Sequence, residues 1–281
     1  MNVIDEIFKS IAFDANIYLH SEFCSPWGVP SSNPGLSSFH VIAYGNCQLV
    51  IEGKDPIHLS AGDLIFFARN TPHQLINPDQ HNNISTTLIC GHLAFSNQKN
   101  PILMALPRLL HIKANEMDQG LKTLFQQIVA EAESRKDGRQ LVLDKLAEIL
   151  FVYIVRFYVC SDKLKYSQKT GLLKGLTNPH ISKALIAFHQ NMDHPWSLET
   201  LAQQALISRS KFAAAFNELL GVTPLKYMTY WRMQQARQLL KTTKQSIYSI
   251  ALACGYQSEA AFIKVFKKQF NVTPGQLRKS W

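Results

Sequence analysis

The sequence predicts an α+β chain in two parts: a small β-barrel backed by a helical region, then a C-terminal all-α domain of two tandem helix-turn-helix units. Three observations lead there. Short apolar strands separated by turn residues fill residues 17–95. Helical periodicity takes over from about Asn100. A seventeen-residue pattern recurs fifty positions later near the C-terminus.

The strands come first. Phe39 to Tyr44 is β-rich and ends at the turn signal Gly45-Asn46, and Cys47 to Ile51 continues as a strand up to Gly53. Ala61-Gly62-Asp63 is a second turn before the apolar strand Leu64 to Phe67, and Thr86 to Phe95 is a further strand. Such spacing suits a small barrel or jelly roll. In the helical region, Leu143, Ala147, Leu150, Ile154 and Phe157 fall at steps of three and four, one continuous apolar stripe. It packs on its own domain or forms a dimer seam, and the spacing leaves both open. The expected divisions are 1–165 for the barrel and helical region, 166–178 for a linker rich in Lys, Gly and Thr, and 179–281 for the helix-turn-helix domain.

Charge separates the two parts. Residues 1–170 hold 15 Lys+Arg against 16 Asp+Glu, whereas residues 171–281 hold 14 against 4. The positive excess sits in one third of the chain, the footprint of a polyanion-binding domain joined to a neutral one. No run is long enough to cross a bilayer: Ile149 to Val159 is broken by Arg156. Residues 1–10 carry Asp5 and Glu6 with no basic-then-apolar pattern, so a cytoplasmic chain without membrane attachment is expected. Five widely spaced cysteines, an odd number, argue against a disulfide framework.

In the repeat, residues 208–224 match residues 258–274: Ser208 with Ser258, Phe212 with Phe262, Phe216 with Phe266, and Val222-Thr223-Pro224 with Val272-Thr273-Pro274. Each unit reads as helix, turn, helix. Ser208 and Ser258 cap the second helices and Gly255 stops a first one. The helix from Pro224 to about Leu240 holds the units apart. With Phe212, Ala215, Phe216 and Leu219 inward, the candidate DNA-facing residues are Arg209, Ser210, Lys211, Ala213, Ala214 and Asn217. With Phe262, Val265, Phe266 and Gln269 inward, they are Ser258, Glu259, Ala260, Lys264, Lys267 and Lys268. Small side chains let a helix approach base edges, Lys264 suits guanine, Asn217 suits adenine or phosphate, and Lys267 and Lys268 suit phosphate.

Residues from about 180 to 280 resemble the DNA-binding domain of the AraC/XylS family of bacterial regulators. The matching residues include Leu198, Ala202, Gly221, Tyr227, Arg232, Ala236, Ile250-Ala251, Gly255-Tyr256, Thr273-Pro274 and Arg278, besides the repeat itself. The resemblance implies a transcription regulator, most often an activator. It would bind double-stranded DNA through its third and sixth helices, here 208–220 and 258–270, as a homodimer working with RNA polymerase.

The barrel resembles a cupin. Gly62-(x5)-Ala68-x-Asn70-(x2)-His73-(x3)-Asn77 is similar to the second cupin motif and His40-x-Ile42-(x3)-Asn46-(x6)-Gly53 to the first, with Ile42 and Asn46 replacing two of the usual metal ligands. That loss argues against the rival reading, a cupin-type metal-dependent enzyme with a helical tail. A third reading, a DNA-architectural protein, has no use for a sensor. Cys24, before Ser25-Pro26-Trp27-Gly28, and Cys90, before Gly91, resemble the sensor branch that includes regulators responding to oxidant and reactive chlorine. On that resemblance Cys24 and Cys90 are candidate redox residues, and Cys24, His40, His73 and Cys90 are a candidate zinc set. The alternatives are a Cys24–Cys90 disulfide, an organic-ligand pocket, or buried core residues without a sensing role.

Overall fold

The computed structural model describes residues 13–31, 36–77, 85–95, 100–161 and 170–280, with Asp5, Phe8, Ile11 and Leu164 besides. The chain divides into two compact units, residues 13–167 and residues 168–281, the first twelve residues being grouped with the second. Residues 166–169 of the expected linker lie outside the described residues.

The first unit holds nine strands: β1 (Phe13–Cys24), β2 (Trp27–Ser31), β3 (Ser37–Tyr44), β4 (Asn46–Val50), β5 (Ile57–Ser60), β6 (Leu64–Phe67), β7 (His73–Asn77), β8 (Ser85–Phe95) and β9 (Leu109–Ile112). They form a five-stranded sheet, β1-β8-β3-β6-β9, facing a four-stranded one, β2-β7-β4-β5. Every pairing is antiparallel. Ile42, Leu49, Leu59, Ile65, Phe67, Leu75 and Leu88 fill the space between the sheets. This is the double-sheet barrel that the turn spacing predicts. Asp63 closes one end, accepting from Ser60 N (3.2 Å), His111 Nε2 (2.9 Å) and Ala114 N (3.0 Å).

Helices α1 (Pro101–Ala105), α2 (Gln119–Glu133) and α3 (Arg139–Cys160) complete the unit. The outer face of the five-stranded sheet is apolar, so something must cover it. Phe151 of α3 does so, its ring centroid 5.2 Å from Phe13, 5.8 Å from Phe66 and 5.1 Å from Phe95. Leu143, Ala147, Leu150 and Ile154 are buried with it. The apolar stripe is therefore spent on the helix's own domain, which removes it as a dimer seam. Strand β1 bulges at Tyr18, between Ile17 and Leu19. A bulge interrupts the ladder, and α3 supplies partners there: Asp144 accepts from Ile17 N (3.2 Å) and Gln140 donates to Ile17 O (2.9 Å).

The second unit begins earlier than its Lys/Gly/Thr composition suggests. Leu172–Leu176 form helix α4, with Leu172 and Leu173 buried, and this part of the stretch expected as linker belongs to the packed domain. The further helices are α5 (Pro179–Gln190), α6 (Leu198–Gln204), α7 (Arg209–Leu220), α8 (Pro224–Thr242), α9 (Ile247–Ala253), α10 (Glu259–Phe270) and α11 (Pro274–Lys279). Among the described residues no helix is long and apolar enough to cross a membrane.

The two helix-turn-helix turns are built alike. After α6, Leu206 N donates to Gln203 O and Ile207 N to Ala202 O. After α9, Gly255 N donates to Leu252 O and Tyr256 N to Ala251 O. This paired stop needs a left-handed residue at its first position. Gly255 meets the need at φ +74°, but in the first unit Leu206 takes φ +57° while 70% exposed. A β-carbon on Gly255 would lie 2.7 Å from Arg232 Nη2, the guanidinium that ties Met192 O and His194 O.

Leu206→Gly is therefore expected to stabilise the chain by about 0.5–1 kcal/mol, the left-handed penalty less glycine's extra entropy. Gly255→Ala should destabilise it by about 1–2 kcal/mol. Thermal unfolding followed by circular dichroism measures both, and a lower melting temperature for Leu206→Gly would contradict the strain.

Candidate DNA interface and barrel interior

Helices α7 and α10 are second helices of successive helix-turn-helix units, and local chemistry sets where each begins and ends. The Ser208 and Ser258 side chains accept from Lys211 N and Ala261 N, capping the first turns. Gly221 (φ +72°) and Asn271 (φ +61°) end the helices at equivalent positions. Thr223 and Thr273 then cap α8 and α11, with Pro224 and Pro274 at the first helical position.

Packing fixes the roll of each helix. Phe212 and Phe216 are buried in α7, and Phe262 and Phe266 in α10. Phe216 meets Tyr227 of α8 edge-on at 5.5 Å, and Phe266 lies 4.6 Å from Phe270. Behind them Trp231, Met233, Ala236 and Leu240 of α8 are fully buried. His189 Nε2 lies 2.6 Å from Tyr227 Oη, and burial pulls the His189 pKa down to about 3.

The faces left over carry most of the predicted residues. On α7, Arg209, Ser210, Lys211, Ala214 and Asn217 are exposed and Ala213 is half-buried. On α10, Ser258, Ala260, Lys264, Lys267 and Lys268 are exposed and Glu259 is half-buried. Gln269, expected inward, is exposed on the last turn of the helix, seven residues after Phe262. Ala261 is exposed beside Ala260 and was not among the expected residues. Arg209 Nη1 bonds Glu199 Oε1 at 2.6 Å, and this bond holds the Glu199 carboxyl below its usual range.

In the barrel, strand register decides the fate of the proposed cluster. His40 of β3 pairs with Cys90 of β8, so the two side chains share a face. His73 reaches in from the opposite sheet, its Nε2 2.7 Å from His40 Nε2. The His73 ring stacks on Phe67 at 4.0 Å. His73 Nδ1 donates to Thr71 O at 2.6 Å, since a carbonyl only accepts. That tautomer leaves His73 Nε2 with a lone pair, to which His40 Nε2–H donates. His40 Nδ1 is then a bare, buried acceptor with no hydrogen-bond partner. The short contact has room for one proton between the rings, so they cannot both be charged. Burial first, then the His73 and His92 charges, hold the His40 pKa well below its usual value, and burial lowers that of His73.

Cys24 does not join them. Cys24 pairs with Ser85, five positions along β8 from Cys90, about 17 Å at strand rise. Phe23 packs into the barrel core, so its neighbour Cys24 faces the other way. A Cys24–Cys90 disulfide is excluded by that separation. The four residues do not fit zinc either, because the same separation keeps Cys24 away from any centre the other three could share. Among the described residues no three His, Cys, Asp or Glu side chains gather as a metal-binding group. Cys47 lines the same interior as Cys90. Burial raises the Cys47 pKa to about 12 and pushes that of Cys90 up as well.

Comparison with known proteins agrees with both halves. The cupin family matches residues 2–160 and a helix-turn-helix domain family matches residues 201–280. The chain is 31% identical to an uncharacterized HTH-type transcriptional regulator of Haemophilus influenzae, over all of this chain and 99% of the relative. It is 29% identical to the HTH-type transcriptional regulator AlkR of Acinetobacter baylyi, over 99% of each. It is 26% identical to the RCS-specific HTH-type transcriptional activator RclR of Escherichia coli, over 91% of this chain and 89% of the relative. A cupin barrel joined to paired helix-turn-helix units defines a DNA-binding transcription regulator, not an enzyme. The chain belongs to the AraC/XylS family of such regulators, in the group with an N-terminal cupin domain.

The buried neutral histidines make stability depend on pH. His40, His73 and His189 have folded pKa values below their unfolded value of about 6.5, so the unfolded chain binds more protons below that pH. Their contribution is complete above pH 6.5 and is lost as pH falls towards the folded values. Urea midpoints should hold steady from pH 8 to 7 and fall below 6.5, and His40→Gln with His189→Gln should flatten that fall. A midpoint unchanged down to pH 5 would show that these rings are not held neutral.

Proposed function

We propose that this regulator reads a specific operator through α7 and α10, acts as a homodimer, and activates transcription together with RNA polymerase. The observation that carries the reading is the duplicated recognition helix. Its roll is fixed by a buried phenylalanine pair, and its exposed face offers small residues, Asn217 and three lysines. Phosphate contacts from Lys267 and Lys268 give affinity, and residues nearer the helix N-termini reach base edges.

The dimer face we propose is the outer side of α3. Leu141 (66% exposed), Val142 (44%) and Ile149 (45%) lie there in solvent, although the helix already buries its opposite face. The Lys145–Glu148 ion pair, at 2.7 Å, lies between them, so the face we propose mixes apolar side chains with one paired charge.

For the signal, we propose an oxidant acting first at Cys24, whose thiol is exposed, while the buried His40–His73 pair and the Cys90 thiol keep the barrel interior closed. The name of the RclR relative, an RCS-specific activator, supports an oxidant. A small-molecule inducer is the second reading, favoured by the orphaned acceptor His40 Nδ1 in the interior.

Two measurements test the core of this. Lys267→Ala with Lys268→Ala should weaken binding to specific and random duplex alike and reduce the salt slope by about 2. Unchanged slope would remove both lysines from the phosphate contacts. Val142→Glu with Ile149→Glu should sediment as a folded monomer, whereas Leu150→Glu should unfold the barrel. A dimer that survives the first pair places the seam elsewhere.

A further inference from the structure

The last residues of α7 are covered, whereas their counterparts fifty positions on are not. Leu219 is half-buried and Leu220 buried, but Gln269 is exposed and Phe270 half-buried. The cover is the segment 170–176, which packs across the end of α7. Gly171 N donates to Leu219 O at 2.8 Å, serving one of the last carbonyls that a helix cannot satisfy itself. Gly175 lets the two backbones approach: a β-carbon there would lie 2.5 Å from Leu220 Cδ1. Leu172 and Leu173 are buried, and a β-carbon on Gly221 would lie 2.9 Å from Thr170 Oγ1. Thr170 stands ten residues after Cys160, the last of α3, so the chain leaving the barrel unit meets this segment before any other element of the second unit.

We infer that residues 170–176 are a regulatory strap: docked, they hold the last turn of α7 in its DNA-binding shape, and released, they let that turn fray and weaken binding. This rests on the DNA-binding reading above and deepens it by naming where control enters. The strap suits release. A five-residue helix with two buried leucines belongs to the low-stability end of a domain. Its release leaves the rest of α7 in place, because Phe212 and Phe216 anchor the roll from the other side. The turn it covers matters to DNA. Asn217 lies there, and its own carbonyl accepts from Gly221 N at 2.9 Å, so fraying displaces a residue of the outward face. The strap runs on into α5 at its other end, and the chain arriving from α3 therefore acts on it as a tether. A movement in the barrel unit that tightens or slackens this tether is felt first at the Gly171–Leu219 bond.

The test uses the full chain with the exposed Cys24 and Cys160 changed to serine, and a duplex that this chain selects from a random pool. Gly171→Pro removes the donor and cannot adopt the φ of +150° found there, so it releases the strap. Amides 217–221 should then exchange about 10-fold faster, with 267–271 unchanged. The selected duplex should bind about 10-fold more weakly, the loss of one good contact. Thr170→Cys with Gly221→Cys locks the strap, because the two β-carbons would stand 3.5 Å apart, within disulfide reach. The oxidised form should exchange more slowly at 217–221, and bind the duplex more tightly, than the same chain after reduction. Cutting at a protease site inserted before Thr170 removes the tether and should move exchange at 217–221 towards the locked rate. Exchange there indifferent to both release and locking, or equal changes at 267–271, would overturn the strap. Exchange unmoved by the cut would overturn its regulatory role. A parent chain that selects no duplex would overturn the DNA-binding reading, and the exchange rates would still judge the strap's hold on α7.

Discussion

Two phenylalanines four residues apart, buried under each recognition helix, are the constraint on which the DNA-binding domain turns. Four residues on a helix is one turn, so Phe212 and Phe216, like Phe262 and Phe266, leave each helix a single roll angle. Burying such a side chain is worth about 2–3 kcal/mol. An exposed ion pair such as Arg209–Glu199 contributes at most about 1 kcal/mol. The buried pairs therefore set which residues face outward, and the outward residues are free to differ between the units. That freedom is why the two helices present different outward side chains on a shared scaffold.

What the sequence makes legible is what local chemistry determines. The serine and threonine caps at 208, 223, 258 and 273 all accept from the backbone amides that a capping rule names, because a cap involves only its own turn. The repeat, the barrel and the helical period follow for the same reason. The partner of an apolar stripe is not local. Leu143, Ala147, Leu150 and Ile154 carry one spacing whether they meet a sheet or another subunit, and only the fold shows Phe13, Phe66 and Phe95 waiting around Phe151. The residues at 172–176 are the converse case: polar neighbours mask two leucines that a packed domain needs.

The barrel interior shows the same boundary more sharply. Motif spacing is enough to place His40 and His73 together, because each sits at a fixed offset from a turn that the barrel requires. Cys24 has no such anchor. Its face depends on parity along β1, and a single bulged residue at Tyr18 reverses parity for everything beyond it. No spacing rule reveals a bulge, so the sequence gathers four residues where the fold brings only His40 and His73 into contact, sets Cys90 opposite His40 in the sheet register and turns Cys24 to the other face.

That bulge also joins a strand to a helix. The amide and carbonyl of Ile17, next to the bulge on this edge strand, are both held by α3 through Asp144 and Gln140. Sliding β1 by one residue against β8 would strand those two groups and carry them away from the Asp144 and Gln140 side chains that hold them. The register of the first strand and the seating of the long helix are therefore one mechanical variable. Cys24, at the distal end of that strand, stands at the free end of the lever.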